Sequence, residues 1–117
     1  KTPKIYFYDS GMAHLLWLKT ISPIVTGSVF ETAVFSEIIK KFGKESVNFW
    51  RTKDKKEIDF IVRQKNKLLP VEVKLNFEKF KPGAMNYFCK HYKLDNYKVV
   101  SIEGTPVKKF GAYPWEI

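Results

Sequence analysis

The stretch Glu57–Leu75, EIDFIVRQKNKLLPVEVKL, constrains the fold more than any other part of the chain. Two runs rich in Ile, Val, Leu and Phe flank Gln64-Lys65-Asn66-Lys67, a polar connection with turn chemistry. A two-residue loop at Lys65-Asn66 pairs Gln64 with Lys67 and sets the register of the whole antiparallel ladder. In that register Asp59 falls directly opposite Glu72. Lys74 lies two residues further along on the same face, because strand side chains alternate with period two. The other face carries Ile58, Phe60, Val62, Leu69, Val71, Val73 and Leu75, all apolar. One hairpin thus predicts a hydrophobic face and a second face that presents two carboxylates and an ammonium group.

Directly opposed residues of an antiparallel pair sit ~4.5–5.5 Å apart at Cβ, so two carboxylates there repel unless something neutralises them. A divalent cation does so. Mg²⁺ (or Mn²⁺) prefers hard oxygen ligands, and Mg²⁺ keeps several waters and takes one or two carboxylates. Such an ion polarises a phosphoryl oxygen and lowers the pKa of a bound water. Lys74 would orient that water or stabilise charge developing on the phosphate. The competing reading is a solvated sheet face whose Asp/Glu/Lys cluster makes marginal ion pairs. Both readings depend on the register, since a slip of one residue would put Asp59 and Glu72 on opposite faces.

Composition is compatible with a phosphate-bearing partner. The 117 residues suit one domain with a real core, 44% of them hydrophobic and 16% aromatic, which excludes a disordered tail. Net charge is +9, from 21 Lys+Arg against 12 Asp+Glu. Within Arg51–Lys81 ten basic residues stand against five acidic ones, so the excess surrounds the hairpin. A basic surface attracts polyanions, nucleic acid first and anionic membrane second. The one cysteine, Cys89, rules out an internal disulfide and is expected in the core among apolar neighbours. His14 and His91 are too isolated for a zinc site. No run approaches the ~18 apolar residues that span a bilayer, and no signal peptide is visible, so a cytoplasmic setting away from membranes is expected. The first residue is Lys, and the chain reads as a piece of something longer.

Along the chain, Ile5–Tyr8 reads as a short strand, Met12–Leu18 as a short helix and Ile21–Thr26 as a loop. Ser28–Phe42 has the strongest helical pattern and ends at Gly43 as a C-cap. Val47–Arg51 is a strand, followed by the charged turn Thr52–Lys56 and then the hairpin. Pro82 opens a helix to about Tyr92, with Met85, Phe88, Cys89 and Tyr92 on one face. Tyr97–Ile102 is a further strand, expected parallel to its neighbour in the same sheet. The fold class that follows is α/β: a central mixed β-sheet flanked by helices, with an αβββαβ core.

Two positions carry two readings each. Ser28-Val29-Phe30-Glu31 matches a capping box, in which Glu31 reaches back to the helix N-terminus. Glu31 also shares a helix face with Val34, Phe35, Ile38 and Phe42, which points it toward the sheet. Trp50-Arg51-Thr52-Lys53 precedes the acidic strand. Trp50 would stack on an unpaired base, with Arg51, Lys53, Lys55 and Lys56 along the phosphates. Equally, Phe49 or Trp50 would be core, with the cations solvated.

With Glu31 on the first helix, Asp59 on the second core strand and Glu72-Val73-Lys74 on the third, the chain resembles the PD-(D/E)XK nuclease superfamily. The resemblance implies a restriction-endonuclease-like core. It also implies that Asp59 and Glu72 hold a metal ion, that Lys74 assists the water, and that Glu31 completes the catalytic and metal-binding pocket. Ile58 stands where the superfamily often has Pro, and the second helix lacks a Gln-x-x-x-Tyr pattern. The segments KIYFYDSGMAHLL, GSVFETAVFSEI, NFWRTKDKKEIDFIV and LLPVEVK resemble an uncharacterised domain found C-terminal to prokaryotic AAA-type ATPases. That similarity implies that residues 1–27 join an upstream ATPase portion, that 28–103 form the nuclease-like core, and that 104–117 are an extension. No G-x-x-x-x-G-K-[ST] occurs in the chain. Two functions are therefore expected: a Mg²⁺- or Mn²⁺-dependent nuclease acting on DNA, or an inactive module of the same fold that binds nucleic acid or a partner protein.

Overall fold

The computed structural model describes residues 27–106 and 108–117. The expected strand at Ile5–Tyr8, helix at Met12–Leu18 and loop at Ile21–Thr26 lie outside them. The described elements are helix α1 (Gly27–Phe42), strands β1 (Val47–Arg51), β2 (Glu57–Gln64) and β3 (Lys67–Val73), helix α2 (Gly83–Tyr92), and strands β4 (Lys98–Val100) and β5 (Gly111–Ala112). All five strands form one sheet in the order β1-β2-β3-β4-β5. The first two junctions are antiparallel and the last two parallel, so this is an α/β fold with a mixed sheet.

α1 begins one residue earlier than the pattern suggested, so Ser28 lies inside the helix and the first turn contains no acid. The Ser28 carbonyl accepts a hydrogen bond from Thr32 Oγ1 at 2.9 Å, one turn on. The helix stops at Gly43, whose φ of 89° suits a residue without Cβ and whose N–H closes the last turn on the Ile39 carbonyl. Phe30, Val34 and Ile38 face Phe60, Val62, Val71, Val73 and Val100, and this forms the first core layer. Phe60 is fully buried there, its ring 5.6 Å from that of Phe35 and 6.0 Å from that of Phe49.

The opposite sheet face is also covered. Met85 and Phe88 of α2 pack on Ile58, Ile61, Tyr97 and Val99, a second core layer. The face expected to be polar is thus apolar along most of its length, and the chain is a helix–sheet–helix sandwich. Cys89 sits half-buried at the margin of this layer, and burial pushes its thiol pKa up. Tyr92, expected on the buried face, is 46% exposed and rests its ring against Phe88. α2 ends at Lys93, which takes a left-handed φ of 57°.

Register in the hairpin is the expected one, with Gln64 opposite Lys67 and Phe60 opposite Val71. Against β1 it shifts. Asn48 pairs with Ile61 but Trp50 pairs with Ile58, so Asp59 and Phe60 together oppose the single residue Phe49. This is a β-bulge, and it changes the phase of side-chain alternation. Ile58 therefore joins the α2 core rather than the α1 face where strict alternation puts it, while Phe60 and Val62 stay with α1. Pro70 occupies an interior strand without breaking the ladder. The N–H groups of Val73 and Lys74 point to β2 and β4 respectively, so the N–H that Pro70 lacks would face β4, which begins only opposite Val71.

The hairpin loop places Lys65 at φ 54°, in a region that suits Gly or Asn. Left-handed backbone costs a side-chain-bearing residue about 1–2 kcal/mol, of which glycine's extra chain entropy returns part. Lys65→Gly should therefore stabilise the fold by about 0.5–1 kcal/mol, read as a raised urea midpoint at unchanged m-value.

Candidate functional site

The bulge lies at the site. In a continuing ladder the N–H of Val73 would go to the backbone of Ile58. Instead the Asp59 carboxylate takes that bond, Oδ2 accepting from Val73 N–H at 2.8 Å. Glu72 reciprocates, its Oε1 accepting from the Asp59 N–H at 3.3 Å. Each acid thus caps the opposite strand where the two part. Carboxylates that accept backbone N–H groups make charge-assisted bonds, which are stronger than neutral ones.

Lys74 completes the cluster. Its Nζ lies 3.4 Å from Glu72 Oε2, with the Glu72 side chain only 17% exposed and that of Lys74 38%. Its backbone is held as well, because its N–H donates to the Val100 carbonyl at 3.0 Å. Beyond it the chain stays tied to the end of β4: Glu103 N–H donates to the Leu75 carbonyl, and Phe77 N–H to the Glu103 carbonyl. Gly104 makes that closure possible. It has φ 83°, and a Cβ there would come within 2.3 Å of Asn76 Oδ1. Asn76 Oδ1 itself accepts from Glu78 N–H. Ser101, fully buried at the end of β4, bonds the Glu103 backbone through Oγ. Sequence reasoning did not single out these supports; the polar Ser101 directly after Val99-Val100 was their visible trace.

Asp59, Glu72 and Lys74 are therefore brought together. Glu31 is half-buried on α1, and among the described residues no group of three acid, imidazole or thiol side chains is close enough to share a metal ion. The residues expected along phosphates are divided. Trp50 packs into the α2 layer, edge-on to Phe88 at 5.1 Å, so the exposed aromatic of β1 is Phe49, at 55%. Arg51 pairs with Glu57 across the strands, Nη2 to Oε2 at 2.8 Å. Lys56 pairs with Asp54 and lies over the Tyr87 ring at 5.2 Å. Lys53 and Lys55 are exposed.

A sequence profile described as "Domain of unknown function (DUF4143)" matches residues 26–115. The chain belongs to the DUF4143 family. No curated protein and no solved structure matches it. The match to the DUF4143 profile takes in α1, the whole sheet and α2, and so every residue of the acidic cluster. Among the described residues of this DUF4143 domain, no helix is long and apolar enough to cross a membrane.

Two expectations follow. Asp59→Ala removes the acceptor for Val73 N–H and should cost about 1–3 kcal/mol in urea unfolding, whereas Asp59→Asn keeps an oxygen there and should cost less. In the Thr52–Lys56 turn, the Lys56 ammonium first and the Thr52 hydroxyl second hold the Asp54 carboxyl down, from 3.8 to about 2. A lowered carboxylate pKa contributes stability above its unfolded value that is lost as pH falls through the folded one. The Asp54 carbon resonance should therefore titrate near pH 2. The turn should keep its amide shifts from neutral pH down to about 4, the unfolded range of Asp.

Proposed function

We propose that this DUF4143 domain is a PD-(D/E)XK-type, metal-dependent nuclease that hydrolyses DNA phosphodiester bonds on a restriction-endonuclease-like core. The observation that carries this is the convergence of Asp59, Glu72 and Lys74 where β2 and β3 part. Element order supports it: helix, three antiparallel strands, helix, then a strand parallel to the third. Glu72 and Lys74 also lie at the carboxyl end of β3, beside its parallel neighbour β4, the end at which open α/β sheets bind ligands.

The donor set fits Mg²⁺ or Mn²⁺, being two carboxylates with hard oxygens on rigid strands. When bound, the ion supplies a polarised phosphoryl oxygen and an acidified water. Asp59 and Glu72 would hold it, and Glu31 on α1, which forms no three-acid group with them, would act from outside the pair that holds the ion. The reciprocal backbone bonds fix the orientation of both strand carboxylates before any ligand arrives, which lowers the cost of assembling the site. Lys74, held by its own backbone bond to β4, would stabilise charge developing on the phosphate. DNA is the substrate the net charge of +9 favours. An upstream ATPase portion of the same polypeptide, in the cytoplasm, is the partner this reading implies.

A second reading rests on a specific observation. The Asp59 and Glu72 carboxylates already cap each other's strands, and Glu72 pairs with Lys74. A nuclease-fold module that binds nucleic acid or a partner protein without cleaving it would retain such a cluster for structure alone.

Calorimetry with Mn²⁺ and cleavage of plasmid DNA separate the two. On the first reading Mn²⁺ binding gives heat, and Asp59→Asn and Glu72→Gln, both nearly isosteric, abolish it. Lys74→Ala keeps that heat and the DNA affinity but lowers cleavage by about 10²–10³-fold, the usual loss for a group that stabilises developing charge. Heat of Mn²⁺ binding unchanged by Asp59→Asn would defeat the proposed metal site.

A further inference from the structure

The opposite end of the hairpin carries a second feature. A cavity of about 790 Å³ lies at its tip, lined by Lys41 of α1, Ser46, Arg63 of β2, Lys65 and Asn66 of the turn, and Lys67 of β3, among others. Four cations line it and no described carboxylate does. None of the four makes an ion pair among the described residues, whereas Lys40, Arg51, Lys56 and Lys74 each have an acid partner. Lys41 alone is accounted for by the negative end of the α1 dipole. Arg63, Lys65 and Lys67 are not at any helix terminus. Lys65 is the sharpest case, since a long cation occupies a left-handed position that suits Gly.

We infer that this cavity is a second anchor for the phosphate backbone of duplex DNA. Like charges gathered in a concavity raise the local potential and concentrate anions there. All four cations are exposed, which suits contact with a solvated backbone and not a desolvated single-phosphate pocket. Ser46 and Asn66 add neutral hydrogen-bonding groups of the kind that position a backbone without reading bases. Five residues of strand separate Asp59 from Gln64, or ~17 Å at ~3.3 Å per residue. That is about half the ~34 Å helical repeat of B-DNA, so one duplex lying along the hairpin reaches both ends. The inference rests on DNA as the ligand but not on metal chemistry.

Fluorescence anisotropy with a labelled 20-base-pair duplex, titrated across KCl without divalent metal, tests it. Lys65→Gln/Lys67→Gln should lower the slope of log affinity against log salt by about two units, one per lost phosphate contact. Affinity at low salt should fall at least about tenfold, with thermal melting unchanged. Lys79→Gln/Lys90→Gln, which removes the same charge elsewhere, should leave the slope within about half a unit. Equal losses in both double variants would overturn the inference in favour of delocalised attraction. Binding that Lys65→Gln/Lys67→Gln does not alter would overturn it too, leaving the acidic site's reading intact. No DNA binding by the unsubstituted chain would overturn both. Saturation of the cavity by millimolar inorganic phosphate, with displacement of the duplex, would make it a small-anion site instead.

Discussion

The hydrogen bond from Val73 N–H to the Asp59 carboxylate is the interaction on which the rest of the arrangement depends. β2 is the strand that must satisfy the most demands at once, with neighbours on both edges and a helix on each face. An extra residue in its ladder with β1 lets Ile58 turn to α2 while Phe60 and Val62 remain with α1. The cost is a backbone N–H on β3 that has lost its ladder partner, and buried orphans of that kind are avoided. An acid at the bulge supplies the missing acceptor. A residue that looks like chemistry is therefore also structural.

Covering both faces gives the sheet its interior character. In a sheet coated on one side, Glu72, the partner of Val99, would sit on an open plane among charged neighbours. Here Ile61 and Val99 on the same side are buried beneath Met85 and Phe88, and only the end of the hairpin emerges from the apolar layer. Polar groups at that edge work in a less solvated environment, where hydrogen bonds and ion pairs are stronger. The ties from Lys74, Leu75 and Phe77 to β4 and the segment after it then keep the end of β3 from fraying.

Much of this was legible in the chain. The spacing of Gln64 and Lys67 carried the hairpin register as far as Phe60 opposite Val71, and so brought Asp59 near Glu72, because turn geometry propagates along a ladder. β1 and β2 run between the expected residues for the same reason: charged turn residues bound them on both sides. The bulge was not legible. It depends on how β1 meets β2, a pairing between residues with no periodic mark, and so Ile58 was placed on the wrong face. Nor could alternation reveal that the second face is covered, since Ile61 was its only strongly apolar member in β2. Trp50 illustrates the same limit. An aromatic beside basic residues looks the same in sequence whether it awaits a base or packs on Phe88.

The strand order has a consequence for the company this domain keeps. Among the described residues its two outer strands are β1, five residues long and set against the bulge, and β5, only two residues long. Short or twisted borders of this sort make poor templates for strands from other molecules. At high local concentration such borders would protect the described sheet against cross-pairing. Assembly would then have to proceed through side chains and surfaces, leaving the backbone of the sheet closed to strangers.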